Sequence, residues 1–378
     1  MPNEGRRNTA LDALRGIAIL LVLGSHAVYR PLKPILSLEP LARFWRDVGW
    51  TGVDLFFVLS GYLVSSLLLR EVRRTGKLNV WGFWVRRAYK IIPSYAVLIV
   101  VSHLLRPMGT VKILSDLTLM QSYIPGAWGH TWSLSVEEHF YFLIAIYLLV
   151  LCRRGNKALD GMWRIIPFLG ILCPSLRFVV GEICGYGLWT TLFPSVLRLD
   201  CLAFGMGIAF VMEMANDSVK KFLFSVSPAK WAISGALLFV LLTPFLGFRS
   251  GRVVNTMGLT AVYLSYGAIV FGAVRSPGLF GTNLLTQTLA FIGRISYNIY
   301  LWHVGFLLSM QGIKLNVYAI WAIYVAGSIL VGWVATVIIE RPFLRLRDKR
   351  ALGRVLPFPG VVQSRLDDMD AVKIKRKY

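Results

Sequence analysis

The chain has 378 residues, 56% hydrophobic, 13% aromatic and only 16% charged, with 41 Lys+Arg against 19 Asp+Glu for a net charge of +22. Soluble domains average about 25% charged residues. This composition therefore lacks the polar surface of a soluble enzyme, and its apolar excess excludes a disordered chain. The basic residues stand between long apolar runs rather than on a soluble basic module, so the charge reads as the loop bias of a multi-span membrane protein and not as nucleic-acid binding.

A bilayer core about 30 Å thick takes roughly 20 apolar residues per helix. By that measure the sequence predicts an all-α membrane bundle of about ten spans, near residues 12–30, 49–69, 91–105, 131–152, 165–181, 187–212, 230–247, 255–274, 287–310 and 316–338. An even number puts both termini on one side. With that side cytoplasmic, about 28 Lys/Arg fall inside against about 10 outside, the expected orientation for a multi-pass protein of the inner or plasma membrane. One transmembrane domain is expected over residues 1–347 and a short basic tail over 348–378, its charge suited to anionic lipid headgroups. The first apolar run lacks a small-residue cleavage site and reads as a retained span, and no internal repeat is evident. Cys152, Cys173, Cys184 and Cys201 lie in or beside apolar runs without zinc spacing. They read as small buried hydrophobes, and no metal site is expected.

Ionisable residues at membrane depth are costly and therefore functional candidates. In the first span Arg15 and His26 are eleven residues apart, about 20° past three full turns, so they share a face with roughly 16 Å between them along the axis. Arg15 falls near the cytoplasmic mouth and His26 lies deep. Asp54, at the outer end of the second span, either orients an imidazole or is a helix-start carboxylate favoured by the dipole. Ser60-Gly61 reads as a close-packing element. Arg86, Arg87 and Lys90 open the third span, where Arg87 and Lys90 share a face. Loop bias explains such a run, and a phosphate fork explains it too. In the fourth span Ser133 and Glu137 share a side, and two adjacent carboxylates, Glu137 and Glu138, enter an apolar run. Arg198-Leu199-Asp200 suggests a buried pair offsetting its own charge, and His303 reads equally as a core histidine or a site residue.

Six stretches carry a likeness in order: Leu14-Arg15-Gly16 through His26; Gly52-Val53-Asp54-Leu55-Phe56-Phe57-Val58-Leu59-Ser60-Gly61; the basic stretch ending Ile91-Ile92-Pro93; Thr131-Trp132-Ser133-Leu134-Ser135-Val136-Glu137-Glu138; Ser296-Tyr297 to Trp302-His303; and Glu340-Arg341-Pro342. Together, from about Leu11 to Arg347, the chain resembles the acyltransferase-3 family of integral membrane O-acyltransferases. Its members modify sugars of surface polysaccharides, lipopolysaccharide, peptidoglycan, nodulation factors and some macrolides. The resemblance implies a ten-helix fold that moves acyl groups, commonly acetyl, from cytoplasmic acyl-CoA to glycan hydroxyls at or beyond the outer face. It implies no permanently bound cofactor, acyl-CoA being a co-substrate, and it maps the family's essential Arg and His onto Arg15 and His26. The paired-arginine element falls on Arg87 and position 90, and the Ser/Glu element on Ser133 and Glu137. Position 90 is Lys where the family usually has Arg, which keeps the charge and loses bidentate geometry. His139 stands where relatives often have Gln. The extracytoplasmic SGNH-type domain of some relatives is not expected here.

The expected mechanism places CoA phosphates on Arg86, Arg87 and Lys90, with Arg15 and Ser133 also on the donor side. His26 acts as general base on an acceptor hydroxyl, since imidazole titrates near neutrality, and Asp54 or Glu137 orients it. A covalent acyl-His26 remains an alternative. The rival class is a transporter or proton-coupled carrier relaying through His26, Asp54 and Glu137, and a third reading is an inactive scaffold of the same fold. The acceptor sugar and the oligomeric state are not legible.

Overall fold

The structure is a computed structural model, and it describes residues 8–27, 39–155, 159, 161–247 and 251–352. Among the described residues it is all-helical, with no strand. The helices used below are α1 (Thr9–His26), α2 (Glu39–Gly49), α3 (Gly52–Thr75), α4 (Val80–Leu105), α5 (Thr110–Leu117) and α6 (Trp132–Arg154). They continue with α7 (Ile165–Cys184), α8 (Leu199–Glu213), α9 (Asp217–Phe224), α10 (Pro228–Leu242) and α11 (Leu259–Arg275). The last are α12 (Leu284–Arg294), α13 (Ser296–Ser309), α14 (Val317–Ala335) and α15 (Arg341–Leu352).

Local chemistry sets many of the boundaries. Asn8, Asn79, Asn216, Ser227, Asn283 and Asn316 each accept a hydrogen bond from the backbone N–H three residues on, capping α1, α4, α9, α10, α12 and α14. Helix α3 ends where Gly76 adopts a left-handed φ of 66°, a turn that costs glycine little.

Among the described residues eight helices are long and apolar enough to cross a membrane, and a ninth span results if α8 and α9 count as one despite a 109° bend. The expectation of about ten differs at two places. The run predicted over 187–212 begins as irregular turns at Leu188–Leu192 and Ser195–Leu197, and only α8, 15 residues long, is regular helix. The run predicted over 287–310 breaks at Ile295 into α12 and α13, 11 and 14 residues long. Helix α15 runs through residue 352, across the boundary expected at 347/348; the basic tail beyond it lies outside the described residues.

Packing is close where glycines meet carbonyls. A Cβ added at Gly61 would overlap the Leu202 carbonyl, and one at Gly205 the Val58 carbonyl, so α3 and α8 touch backbone to backbone. Gly16 and Gly293 do the same for α1 and α12. Apolar side chains such as Leu237, Leu241 and Leu104 face outwards, as lipid-facing surfaces require. Several basic helix ends meet on one face: Arg70 at the end of α3 pairs with Glu213 at the end of α8 at 2.6 Å. Arg275, the last residue of α11, donates to the carbonyls of Leu223 and Val226.

A buried charge quartet lies deep in the bundle. Arg177 on α7 makes a two-pronged contact with Asp200 on α8 (3.1 and 2.9 Å), and Arg198 pairs with Asp54 on α3. All four side chains are buried. Arg198 and Asp200 therefore do not offset one another as the sequence suggested. Arg198 stands just before α8 with a φ of −125° and Asp200 lies in its first turn, and each finds its partner on another element. All four cysteines are free: Cys173 and Cys201 are buried as expected, Cys152 is half-buried, and Cys184 is exposed.

Candidate active site

His26 is the last residue of α1, and its ring is half-buried. Its Nδ1 lies 3.0 Å from the Val22 carbonyl oxygen and 3.1 Å from Ser25 Oγ, while the Ser25 hydroxyl donates to the same carbonyl at 2.8 Å. A carbonyl cannot donate, so Nδ1 carries the hydrogen and the lone pair sits on Nε2. Two further imidazoles surround this ring. His303, on α13, has its centroid 4.9 Å from that of His26, and His130, in the turn before α6, lies 6.3 Å from His26 and 4.9 Å from His303. All three contacts are edge-to-face. Among the described residues no group of three or more His, Cys, Asp or Glu is arranged to hold a metal ion.

Helix α6 carries the functional groups downwards from this cluster. The Ser133 hydroxyl donates to Tyr300, whose own hydroxyl donates to the His130 carbonyl, so Ser133 braces the histidine turn through one tyrosine. One turn further, roughly 6 Å along the axis, Glu137 accepts from Ser60 Oγ at 2.9 Å and from the Tyr141 hydroxyl at 3.0 Å. Glu138 pairs with Arg87 of α4 at 2.8 Å, and the Arg87 guanidinium lies 4.2 Å over the Tyr141 ring. Arg87 Nε is buried without a hydrogen-bond partner.

The cationic end comes next. Arg86 reaches Glu71 at 3.6 Å and is more exposed than Arg87, 38% against 22%. The charges of Lys90 and Arg15 both act on Glu340, which Asn298 also holds at 2.7 Å. Arg15 Nε is buried with no hydrogen-bond partner. Arg15 and Lys90 thus stand at one end of the site and His26 at the other, as the register on α1 requires.

The loop leading into the histidine turn is pinned by Asp116 at the end of α5. Asp116 accepts from the Ala127 N–H at 2.8 Å and from the Tyr95 hydroxyl at 2.9 Å. Gln121 donates to the same tyrosine oxygen and accepts from Ser135, tying loop, α4 and α6 together. Burial pushes the Asp116 carboxyl above its usual range, opposed by these donors.

The structure links Ser133 to the His130 turn through Tyr300, sets Glu137 and Arg87 on either side of Tyr141, and puts Arg15 and Lys90 beside Glu340, while Arg86 goes to Glu71. It does not bring the carboxylates to the imidazole. The charges acting on Asp54 are those of Arg198, Asp200 and Arg177, and the Glu137 oxygens go to Ser60 and Tyr141. Nδ1 of His26 is instead held by the Val22 carbonyl, with the imidazoles of His303 and His130 beside the ring. His130, Tyr300 and Arg177 were missed as site or framework residues. All 5 histidines of the chain lie in or directly beside the predicted apolar runs, so position in the sequence did not single out His130.

Residues 8–340 match the acyltransferase-3 family, described as an acyltransferase domain. The chain belongs to that family. Three curated relatives, the O-acetyltransferase OatA proteins of Staphylococcus aureus strains NCTC 8325, COL and MRSA252, are each 27% identical over 317 residues. That stretch is 78% of this chain and 49% of each relative, so the chain spans about half the length of the curated relatives it matches. No solved structure matches it. The family match and the apolar helices make the chain a multi-pass membrane protein of the acyltransferase-3 family.

Proposed function

We propose that the chain is an O-acyltransferase that moves an acyl group, acetyl in the first instance, from cytoplasmic acyl-CoA to a sugar hydroxyl of a surface polysaccharide, lipopolysaccharide or glycolipid. The relatives named as O-acetyltransferases support the transfer to oxygen. The observation that carries the reading is the arrangement along α1, with Arg15 and the nearby Lys90 at one end and an imidazole whose Nδ1 faces the Val22 carbonyl at the other.

In this mechanism Arg86, Arg87 and Lys90 receive the phosphates of the donor, Arg15 lines its entry, and the thioester extends towards His26. Nε2 of His26 takes the proton of the acceptor hydroxyl while its oxygen attacks the thioester carbonyl. The C–S bond then breaks, and the leaving thiolate takes that proton from Nε2, so the imidazole returns neutral and CoA leaves as thiol. Glu137 and Asp54 act through their partners: Glu137 beside the Arg87–Glu138 pair, Asp54 by holding Arg198. The proposed setting is the plasma membrane with both termini cytoplasmic, which gives the donor its access to the basic face.

The test is acetyl-CoA-dependent CoA release and base-labile acetate on envelope glycans, for native protein and His26→Ala. Loss of activity by at least about a hundredfold, the scale of a missing general base, is expected with unchanged membrane accumulation. Undiminished acetate in His26→Ala would falsify the mechanism.

A further inference from the structure

Two nitrogens of the imidazole cluster have no hydrogen-bond partner. His303, 0% exposed, has Nδ1 2.7 Å from the Tyr300 carbonyl oxygen, so Nδ1 is the N–H and Nε2 holds a lone pair. His130, 7% exposed, has Nε2 3.3 Å from the Leu301 carbonyl oxygen, so Nε2 is the N–H and Nδ1 holds the lone pair. His303 Nε2 and His130 Nδ1 are both buried and unpartnered. Buried acceptors in native proteins are nearly always satisfied, and an unsatisfied one costs free energy until a donor arrives. Both stand on rings whose centroids lie within 6.3 Å of that of His26, and Tyr300 and Ser133 brace the His130 turn from below.

We propose that His130 Nδ1 and His303 Nε2 form the acceptor subsite. They take hydrogen bonds from hydroxyls of the acceptor that are not acylated and so hold its reacting hydroxyl at His26. This rests on the acyl-transfer reading above. It narrows the acceptor to a molecule with at least three neighbouring hydroxyls, the reacting one and two more as on a sugar ring, because the two nitrogens offer hydrogen-bond acceptors. A monohydric alcohol, its one hydroxyl at His26, satisfies neither nitrogen and is a poorer acceptor.

Amide replacements separate this role from a structural one, because Asn places its amide where Nδ1 stands and Gln where Nε2 stands. His303→Asn and His130→Gln keep the donor to the backbone carbonyl and lose the lone pair. His303→Gln and His130→Asn keep an acceptor at the lone-pair position and lose the backbone bond. Each variant is measured in two ways: base-labile acetate on the envelope glycans of expressing cells, and acetyl-CoA hydrolysis by the purified protein in lipid.

His303→Asn and His130→Gln are expected to lower glycan acetate about tenfold, the scale of one lost hydrogen bond, and by more than they lower acetyl-CoA hydrolysis. His303→Gln and His130→Asn are expected to retain clearly more glycan acetate than that pair. The reverse order, four equal variants, or loss of hydrolysis together with glycan acetate assigns the histidines to the scaffold and overturns the subsite. Native protein that transfers no acetate overturns the acyl-transfer reading itself, a separate result.

Discussion

Ser133 touches Tyr300, Tyr300 touches the His130 carbonyl, and this short relay decides what a single hydroxyl is worth. The sequence placed Ser133 on the donor side, whereas its hydrogen bond leads towards the histidines. Ser133→Ala is therefore expected to lower kcat about tenfold, the scale of one lost hydrogen bond, while KM for acetyl-CoA stays near native. Steady-state kinetics on purified protein check this, and a raised KM for acetyl-CoA with normal kcat would return Ser133 to the donor seat. Arg15 and His26 were legible as a pair because helical geometry alone fixes their common face. The convergence of His26, His130 and His303 was not, since they come from three elements far apart in sequence and only tertiary packing joins them. Asp54 was legible as a buried charge, but its partner was not: Arg198 looked committed to Asp200, and the start of α8 between them sends the two to different partners.

At the level of helices, most of the bundle follows from apolar run length, and the discrepancies lie where run length is blind to direction. Residues 199–224 are apolar enough for one span and turn by 109° within it. Residues 284–309 read as one run and break at Ile295. The contact between α3 and α8 depends on glycine in both directions, and the sequence already suggested close packing at Ser60-Gly61. Gly61→Ala pushes a methyl group into the Leu202 carbonyl and is expected to cost about 1–3 kcal/mol, the usual range for overpacking. Gly109→Ala, with open space around its Cβ position and an ordinary φ of −64°, serves as the neutral control. Thermal unfolding of the two proteins in detergent, read by the temperature at which they leave solution, separates them; equal values would show that α3 and α8 yield freely.

Across the whole molecule, the charge asymmetry and the free cysteines offer a direct reading of orientation. Cys184 is exposed at the end of α7, and Cys152 lies near the end of α6 beside Arg153 and Arg154. With both termini cytoplasmic, Cys184 faces outwards and Cys152 inwards. A membrane-impermeant maleimide applied to intact cells is expected to label Cys184, with the labelling lost in Cys184→Ser. Labelling only after the membrane is permeabilised would invert the topology and move the donor's entry to the opposite face.

The quartet of Asp54, Arg198, Asp200 and Arg177 bears on how the chain comes to be assembled. Arg177 emerges from the ribosome before Asp200, the carboxylate that neutralises it, and a lone guanidinium in hydrocarbon is strongly disfavoured. Helix α7 is therefore disfavoured in lipid by itself until α8 delivers its aspartate. The order of synthesis thus makes these helices partners in a joint release, and a nascent chain stopped after α7 would be held back from the bilayer by one arginine.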